Sequence, residues 1–244
     1  MKQIQSLIII LLLSSISYAQ STDSSRVLTP SIQKAKTYLN KKQDRIVVNF
    51  NFDNWFHQET GGLVTKWYSR GLDIYFMYDM PIKKSAVSFA PGIGFSTSNI
   101  YHNSQLRVDS AGVASFVPFS NYTANFKLVK FTTNYIDIPL ELRFRTKPMG
   151  GDMRFKVGIG FKLGIKIDAY TKERRNDLSA DAAYQKTLTK GFKNQVNLFR
   201  AGPTLRLGYG PINLNMFLNL ISVFKKGKGP DVMPFSAGIS INGL

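Results

Sequence analysis

The feature of this sequence that most restricts its fold is a strict two-residue alternation of apolar and polar side chains. In YIDIPLELRFR (residues 135–145), Ile138 and Leu142 fall on one parity, whereas Asp137 and Glu141 fall on the other. A period of two predicts a β-strand whose two faces meet different environments. The stretch therefore predicts a strand with one apolar face and one charged face.

The same alternation recurs along most of the chain. Eight segments carry it, at residues 45–56, 71–80, 86–95, 135–148, 155–168, 198–209, 212–220 and 233–243. Single-chain bacterial outer-membrane barrels have an even number of antiparallel strands, and a set of eight fits that architecture. The sequence therefore predicts an all-β fold, an eight-stranded antiparallel up-and-down transmembrane β-barrel.

The connections between these segments alternate in length. Those after the second, fourth and sixth segments are short, whereas the others are long, at about 57–65, 97–123, 169–195 and 222–231. In outer-membrane barrels the short turns are periplasmic and the long loops are extracellular. This pattern predicts that both ends of the barrel chain lie in the periplasm.

A soluble barrel would show the same alternation with its apolar face turned inward. Here the polar face is rich in glycine, alanine and serine, which suits a crowded lumen. The apolar face is bulky over runs near the ~9–11 residues that a tilted membrane strand needs. The residues expected to face lipid include Ile138, Leu140, Leu142, Ile159, Phe161 and Leu163.

The N-terminus indicates export. Lys2 precedes an apolar run at residues 7–13, and Ser17-Tyr18-Ala19 supplies a small-x-small cleavage site. This order is typical of a secretory signal peptide, and the apolar run is short of the ~20 residues of a membrane anchor. We therefore expect a signal peptide at residues 1–19 and a mature chain in the outer membrane.

A second, different segment follows the cleavage site. Residues 20–44 are polar, and Thr29-Pro30 has the form of an N-cap followed by a first-turn proline. This predicts a periplasmic leader with a short helix over about 31–42. The leader is interpreted as a solvated segment or as a docking element, and the barrel follows at 45–244.

Three strand segments resemble a known family. The order aromatic-x-acidic-Ile-Pro-Leu in YIDIPLELRFR resembles a strand of the PorT-like outer-membrane β-barrel proteins of Bacteroidetes, and FKVGIGFKLGIKI and FRAGPTLRLGY are similar to its glycine-alternating and Gly-Pro strands. The likeness covers roughly residues 45–244. It implies an eight-stranded outer-membrane barrel, and some members serve type IX secretion and gliding. The chain departs from many barrels by closing on Leu244 rather than on an aromatic residue.

Charged side chains occupy the polar face, which points into the lumen in this arrangement. The predicted lumen set is Arg70, Asp73, Asp79, Asp137, Glu141, Arg143, Arg145, Lys156, Lys162, Lys166, Arg200 and Arg206. An eight-stranded barrel is just wide enough for side chains to fill it, so these charges must pair or meet water. Two interpretations stay open: a salt-bridged plug that specifies the fold, and a narrow anion-preferring path.

One contact within this set follows from the connections. The fourth and fifth strands are joined by a short turn and should pair antiparallel. Asp137 and Glu141 then share an inner face with Lys156 and Lys162. We predict that at least one of these acids lies within ion-pair distance of one of these lysines.

Catalysis would have to start from the histidines. His57 and His102 fall at the bases of predicted long loops, with Ser104 and Asp109 nearby. A rim-active lipid-modifying enzyme would need a His with Ser or Asp, but the spacing matches no acyl-transfer motif. We interpret both histidines as solvated rim residues and predict no catalytic or metal site, no cofactor and no enzymatic activity. A lipid-modifying enzyme remains the alternative.

The formal net charge of +17 raises the question of an anionic partner. Export argues against nucleic acid, so the basic loops at 172–175 and 225–228 are interpreted as solvated, or as contacts with anionic head groups or a partner. We expect a barrel with a structural or scaffolding role, as an accessory component of protein secretion or gliding machinery. Its partners are outer-membrane lipid and a protein that binds the long loops or the leader.

Four prolines conflict with a regular barrel. Pro91, Pro139, Pro203 and Pro234 all sit inside strand patterns, and each removes a donor from the hydrogen-bond ladder. They predict bulges or strand ends.

Overall fold

The computed structural model describes residues 46–57, 62–82, 86–119, 126–146, 155–175, 192 and 194–242. The predicted signal peptide and leader lie outside these residues. In the described part of the chain, no helix is long and apolar enough to cross a membrane.

Eleven strands are present in the described residues. They are β1 (Ile46–His57), β2 (Arg70–Met77), β3 (Met80–Pro81), β4 (Val87–His102), β5 (Ser104–Val108), β6 (Ala114–Pro118), β7 (Phe126–Arg145), β8 (Phe155–Arg175), β9 (Phe199–Tyr209), β10 (Ile212–Leu218) and β11 (Val232–Asn242).

Eight of these strands close into a barrel. β1 pairs antiparallel with β2 and with β11, and the order continues through β10, β9, β8, β7 and β4, which pairs back with β2. β3 extends the wall beyond β2 by pairing with β4. The sheet thus closes on itself, as a sheet that spans a bilayer must. The predicted fold class, an eight-stranded antiparallel up-and-down barrel, is confirmed.

The alternation in sequence separates an inner from an outer face. Asp137 and Glu141 are buried inside the barrel, whereas Ile138 and Leu142 are exposed on its outer wall. We give the name apolar belt to the following exposed apolar residues of the outer wall: Phe50, Phe52, Ile74, Phe76, Ile93, Phe95, Ile136, Ile138, Leu142, Ile159, Phe161, Leu163, Leu205, Leu207, Leu214, Met216, Ile239 and Ile241. An apolar band of this kind around a barrel is the surface that lipid chains cover.

The long loops predicted at 97–123 and 169–195 hold more strand than expected. β4 continues to His102, β7 begins at Phe126 and β8 continues to Arg175, while the β5–β6 hairpin lies inside the first of these loops. The predicted starts of these loops, at 97 and 169, are therefore wrong, and β7 begins nine residues before the predicted strand start at 135, whereas the predicted loop end at 123 agrees with the start of β7.

The reason is that the strand pattern inverts beyond the apolar belt. On β4, Thr97, Asn99 and Tyr101 lie on the outer parity, whereas Ile100 on the inner parity is buried. The wall has left the lipid, so its outer face becomes polar and its inner face becomes apolar. The eight predicted strands were recognised by their apolar outer face, and the strand residues beyond the apolar belt do not have one.

The loop side of the barrel is filled by an apolar core that we call the cap. Its residues are Trp55, Leu63, Ile100, Leu106, Ala114, Phe116, Phe131, Ala169, Phe192, Val196, Val223, Phe224 and Val232. The ring centroid of Trp55 lies 5.8 Å from that of Phe116 and 5.7 Å from that of Phe131. Tilted and edge-on aromatic contacts at this separation are favourable. The cap therefore packs strand ends and loops together inside the mouth of the barrel.

The four in-strand prolines lie where ladders are interrupted or end. The β4–β7 register omits the pairs between Pro91–Leu140 and Gly94–Asp137, a gap that contains Pro139. Pro203 and Pro234 each lie one residue beyond the last pair that their strand makes with β10. A proline has no N–H to donate, so a closed barrel tolerates it where a ladder of hydrogen bonds is interrupted or ends.

Candidate functional site in the barrel lumen

The centre of the lumen is organised by the glycines of β8. Asp137 on β7 is opposite Gly164 on β8, which is opposite Arg200 on β9. A Cβ at position 164 would lie 2.2 Å from Asp137 Oδ1 and 2.8 Å from Arg200 Cγ. The absence of a side chain at Gly164 therefore lets an acid and a guanidinium meet across the strand that separates them.

Asp137 is the most completely enclosed of the described acids, with 0% of its surface exposed. Arg200 donates to both of its carboxylate oxygens, with Nε 3.0 Å from Oδ1, in a bidentate pair. Tyr75 Oη donates to Oδ2 at 2.9 Å, and Ser96 Oγ donates to the same oxygen. The guanidinium carbon of Arg200 lies 4.0 Å from the centroid of the Tyr135 ring. Several strands are thus joined at one carboxylate.

Glu141 repeats the arrangement toward the turn side of the barrel. Arg206 Nη2 donates to its Oε1 at 3.0 Å, and Arg143 Nε donates to its Oε2 at 3.0 Å. The β8 residues opposite Glu141 and Arg143 are Gly160 and Gly158. A second acid is therefore held by two arginines above glycines of the same strand.

Two smaller groups of contacts continue the network. Asp73 accepts hydrogen bonds from Asn49 Nδ2 at 3.2 Å and from Asn51 Nδ2 at 2.8 Å. At the turn side, Asp79 accepts from Ser88 Oγ at 2.7 Å and pairs with Arg145. The polar contacts therefore extend through much of the barrel length below the cap.

Lys162 lies between these groups. Its Nζ is 4.0 Å from Asp137 Oδ2 and 4.0 Å from Asp73 Oδ2, and it lies 3.6 Å from the centroid of the Phe217 ring. A buried ammonium needs such compensation from carboxylates and from an aromatic face. The predicted contact between an acid of β7 and a lysine of β8 is therefore present, at the outer limit of ion-pair distance.

The closest partners of these acids, however, are arginines of β7 and β9 rather than lysines of β8. In the observed register Asp137 and Glu141 are opposite glycines, and Lys162 is opposite Pro139. The lysines of β8 are therefore offset from the acids along the strand. The register could not be read from a turn whose length allows several pairings.

The other predicted lumen residues occupy different settings. Lys166 is buried and its Nζ donates to the backbone oxygen of Val196, at the base of the cap, at 2.7 Å. Lys156 is half-buried on the inner parity at the turn end of β8. Arg70 is exposed on the outer parity of β2, so its assignment to the lumen is wrong. Arg70 has the same parity as Leu72 and Ile74, so the alternation in the sequence already assigned it to the outer face.

Sequence reasoning missed several residues of the network. Asp53 is buried on the inner face, where Ser98 Oγ donates to its Oδ2 at 2.6 Å. Tyr75 bonds Asp137, and Asn215 Nδ2 donates to Asn51 Oδ1 at 2.7 Å. All of these residues lie at positions that alternate with the apolar outer residues of their strands. A search for every polar side chain at such positions, rather than for charged ones alone, would have found them.

The outer-face residues lie as the alternation requires. Ile159 is 56% exposed, and Ile138, Leu142, Phe161 and Leu163 are also exposed on the outer wall. Leu140 shares their parity and is half-buried.

His102 is the clearest departure from expectation. Its side chain is 3% exposed, and its ring lies 5.2 Å from that of Phe116 and 6.5 Å from that of Trp55. Burial lowers the pKa of His102 to about 4, against an opposing contribution from the backbone of Ser104. The prediction of a solvated rim histidine is wrong, because the β5–β6 hairpin covers the inner face of β4 at this point.

Two cavities between described residues of the lumen are small. One cavity of about 20 Å³ borders Asp73, Glu141 and Lys162, and another of about 20 Å³ borders Arg200 and the underside of the cap. Each is roughly the space of one water molecule. The arrangement can bind strands together and hold single waters.

The comparison with known families agrees with this architecture. Residues 37–224 match the family described as "Outer membrane protein beta-barrel domain". No curated protein matches the chain significantly. The closed barrel, its apolar belt and this match over most of the chain lead to one conclusion: the protein belongs to the outer membrane protein β-barrel domain family.

Proposed function

We propose that this protein is a non-enzymatic, non-conducting outer-membrane barrel with a scaffolding role. The observation that carries the proposal is the filling of the lumen by two layers, the charged network and the cap. Asp137 and Glu141 are each held by arginine, and the cap packs aromatic rings above them. Buried charges that pair in this way favour one rigid arrangement, and a rigid wall suits a scaffold.

The test of a closed lumen is electrical. Purified full-length protein in planar bilayers should give no unitary conductance steps above the lipid background. A variant with Asp137→Ala and Arg200→Ala removes both members of the central ion pair, leaves neither charge buried alone, and serves as the positive control for detection. Steady anion-selective conductance by the wild type would replace the plug with the anion-preferring path.

The surface available to a partner is the loop side. In the orientation of outer-membrane barrels the cap is extracellular, and its tip carries exposed Lys225, Lys226 and Lys228. The hairpin and the neighbouring loop are joined by hydrogen bonds, from Ala114 N to Lys228 O at 3.0 Å and from Lys228 Nζ to Ala111 O at 3.1 Å. An ordered loop surface of this kind needs little further ordering when it binds a protein.

The resemblance to PorT-like barrels favours secretion or gliding machinery as the place of this scaffold. The experiment is crosslinking in native membranes at native expression, with a photoreactive residue at Lys226 and, as a control, at Ile159 in the apolar belt. A discrete adduct at Lys226 alone is expected. Adducts of identical pattern at both positions, or no adduct at Lys226, would contradict a scaffolding role.

A further inference from the structure

We infer that the outer wall of β2, β4, β7 and β8, just beyond the apolar belt, binds the phosphate groups of an outer-leaflet glycolipid. The site, called the basic–aromatic patch, comprises Arg70, Asn99, Tyr101, Lys130, Tyr170 and Lys172. Register places Arg70 opposite Asn99, and Tyr101 opposite Lys130. The six residues therefore form one continuous surface across four strands.

The strongest reason is a pair of like charges. Lys130 on β7 is directly opposite Lys172 on β8. Their neighbours Phe131 and Thr171 are buried inside the barrel, so the two lysines lie on the outer wall. Like charges directly opposite each other on a sheet are destabilising. A phosphate bound between them would turn that repulsion into two charge-assisted contacts.

The patch is ordered without a ligand. Asn99 Oδ1 accepts from Lys130 Nζ at 2.8 Å, and Asn99 Nδ2 donates to the backbone oxygen of Arg70 at 3.3 Å. Lys130 Nζ lies 5.8 Å from the centroid of the Tyr101 ring, and Lys172 Nζ lies 5.3 Å from that of Tyr170. The cations are therefore held along the wall, where less side-chain entropy is lost on binding.

The position of the patch selects a lipid over a soluble anion. Ile74 and Ile136, of the apolar belt, follow Arg70 and Lys130 on the same strands by four and six residues. At ~3.3 Å per residue and a tilt of ~45°, this places the patch roughly 10–15 Å beyond the belt. Trp67, 81% exposed, lies in the loop before β2, and its ring contacts that of Tyr68, which in turn contacts the ring of Tyr101 in the patch. Exposed aromatic residues of this kind are typical of membrane interfaces.

Two acids lie on β8 near the patch, Asp168 and Glu173. Glu173 lies on the opposite face of β8, where Gln105 Nε2 donates to its Oε2 at 3.1 Å. Asp168 shares the outer parity with Tyr170 and Lys172, and its Oδ1 accepts from the backbone of Ala169 at 2.9 Å. Asp168 is opposite Asn134, nearer to the belt than either lysine. Neither acid is part of the patch, whose six described residues include three cationic side chains and no carboxylate.

The test uses the full chain in nanodiscs with and without rough lipopolysaccharide. The patch variant is Lys130→Gln with Lys172→Gln, and the matched control is Lys225→Gln with Lys226→Gln, which removes the same charge from the exposed tip. Native mass spectrometry measures bound lipopolysaccharide. We expect about tenfold weaker binding by the patch variant, as lost charge-assisted contacts predict, and under about twofold change in the control.

Thermal unfolding supplies a second measurement, in which the stability difference between the patch variant and wild type should change sign between the two lipids. In neutral lipid the patch variant should be at least as stable as wild type, because the repulsion between the lysines is gone. In lipopolysaccharide it should be the less stable protein. Equal binding by the patch variant, an equal loss in the tip control, or equal binding of phosphate-free lipopolysaccharide would each overturn the inference. Stabilisation by inorganic phosphate alone to the same extent would assign the patch to a soluble anion instead.

Discussion

The charged network and the cap fill the same barrel by different physical means. In the network Asp137 is held by directional bonds from three other strands, across a glycine that leaves no room for displacement. In the cap Trp55, Phe116 and Phe131 meet through apolar contact. Breaking an ion pair leaves a buried charge, whereas truncating an aromatic ring leaves a cavity. The network should therefore set strand register, while the cap should be able to loosen without opening the barrel.

The largest effect is expected at the crossing point of the network. Gly164→Val places side-chain atoms where Asp137 and Arg200 meet, since even a Cβ would lie 2.2 Å from Asp137 Oδ1. The barrel should lose at least ~3–5 kcal/mol of unfolding free energy, or fail to refold, because the pair is broken and the lumen overpacked. Urea titration of refolding into lipid vesicles measures the loss.

The matched control for this change is Gly158→Ala on the same face of β8. There the nearest atom to a new Cβ is Arg206 Cβ at 3.3 Å, so the loss should be much smaller. Equal stability of Gly164→Val and wild type would show that the pair does not cross the strand at this glycine.

The next effect tests whether the network acts as a unit. Asp137→Asn should cost ~3–5 kcal/mol, because Arg200 and Lys162 stay buried without their shared carboxylate. Adding Arg200→Met should recover part of this loss, so that the double variant is more stable than the sum of the single losses predicts. A double-mutant cycle on refolded protein gives the coupling energy. Strict additivity would mean that the charges are separately hydrated, as in a water-filled path.

The cap should respond locally. Phe116→Ala removes a ring that contacts Trp55, His102 and Phe224, at a cost of ~3 kcal/mol within the cap. Limited proteolysis should then cut the β5–β6 hairpin while the barrel keeps its heat-modifiable gel mobility. Val108→Ala, on the same hairpin but 40% exposed, is the control and should change little. Loss of the folded barrel in Phe116→Ala would show that cap and network are one cooperative unit.

The smallest effect concerns pH and again separates the two regions. His102 lies beyond the apolar belt, and its pKa of about 4 is below the ordinary value of 6.5. The unfolded cap therefore binds more protons between these values, so cap stability is complete above pH 6.5 and falls as pH drops toward 4. At pH 5.5 the loss is about 1 kcal/mol, measured as faster proteolysis of the hairpin. His102→Phe should abolish this dependence, and a dependence that persists in that variant would place its origin elsewhere.

The sequence predicted the number of barrel strands, the two faces of each strand and the alternation of short and long connections. It could do so because a two-residue period follows directly from one face meeting lipid and the other meeting the lumen. The same rule explains the errors. Beyond the apolar belt the outer face is no longer apolar, since Asn99 and Tyr101 face outward and Ile100 faces inward. The strand ends, the β5–β6 hairpin and the burial of His102 therefore went unseen.

Partner choice was decided by the tertiary structure alone. The basic side chain that pairs with Asp137 depends on the registers of β7 with β8 and of β8 with β9. A register shift of two residues would leave every side chain on the same face of the sheet but would give it a different partner. The cap likewise joins Trp55, Phe116 and Phe224, which are far apart in the chain. Local periodicity determines which way a side chain points, but only closure of the barrel determines what it meets there.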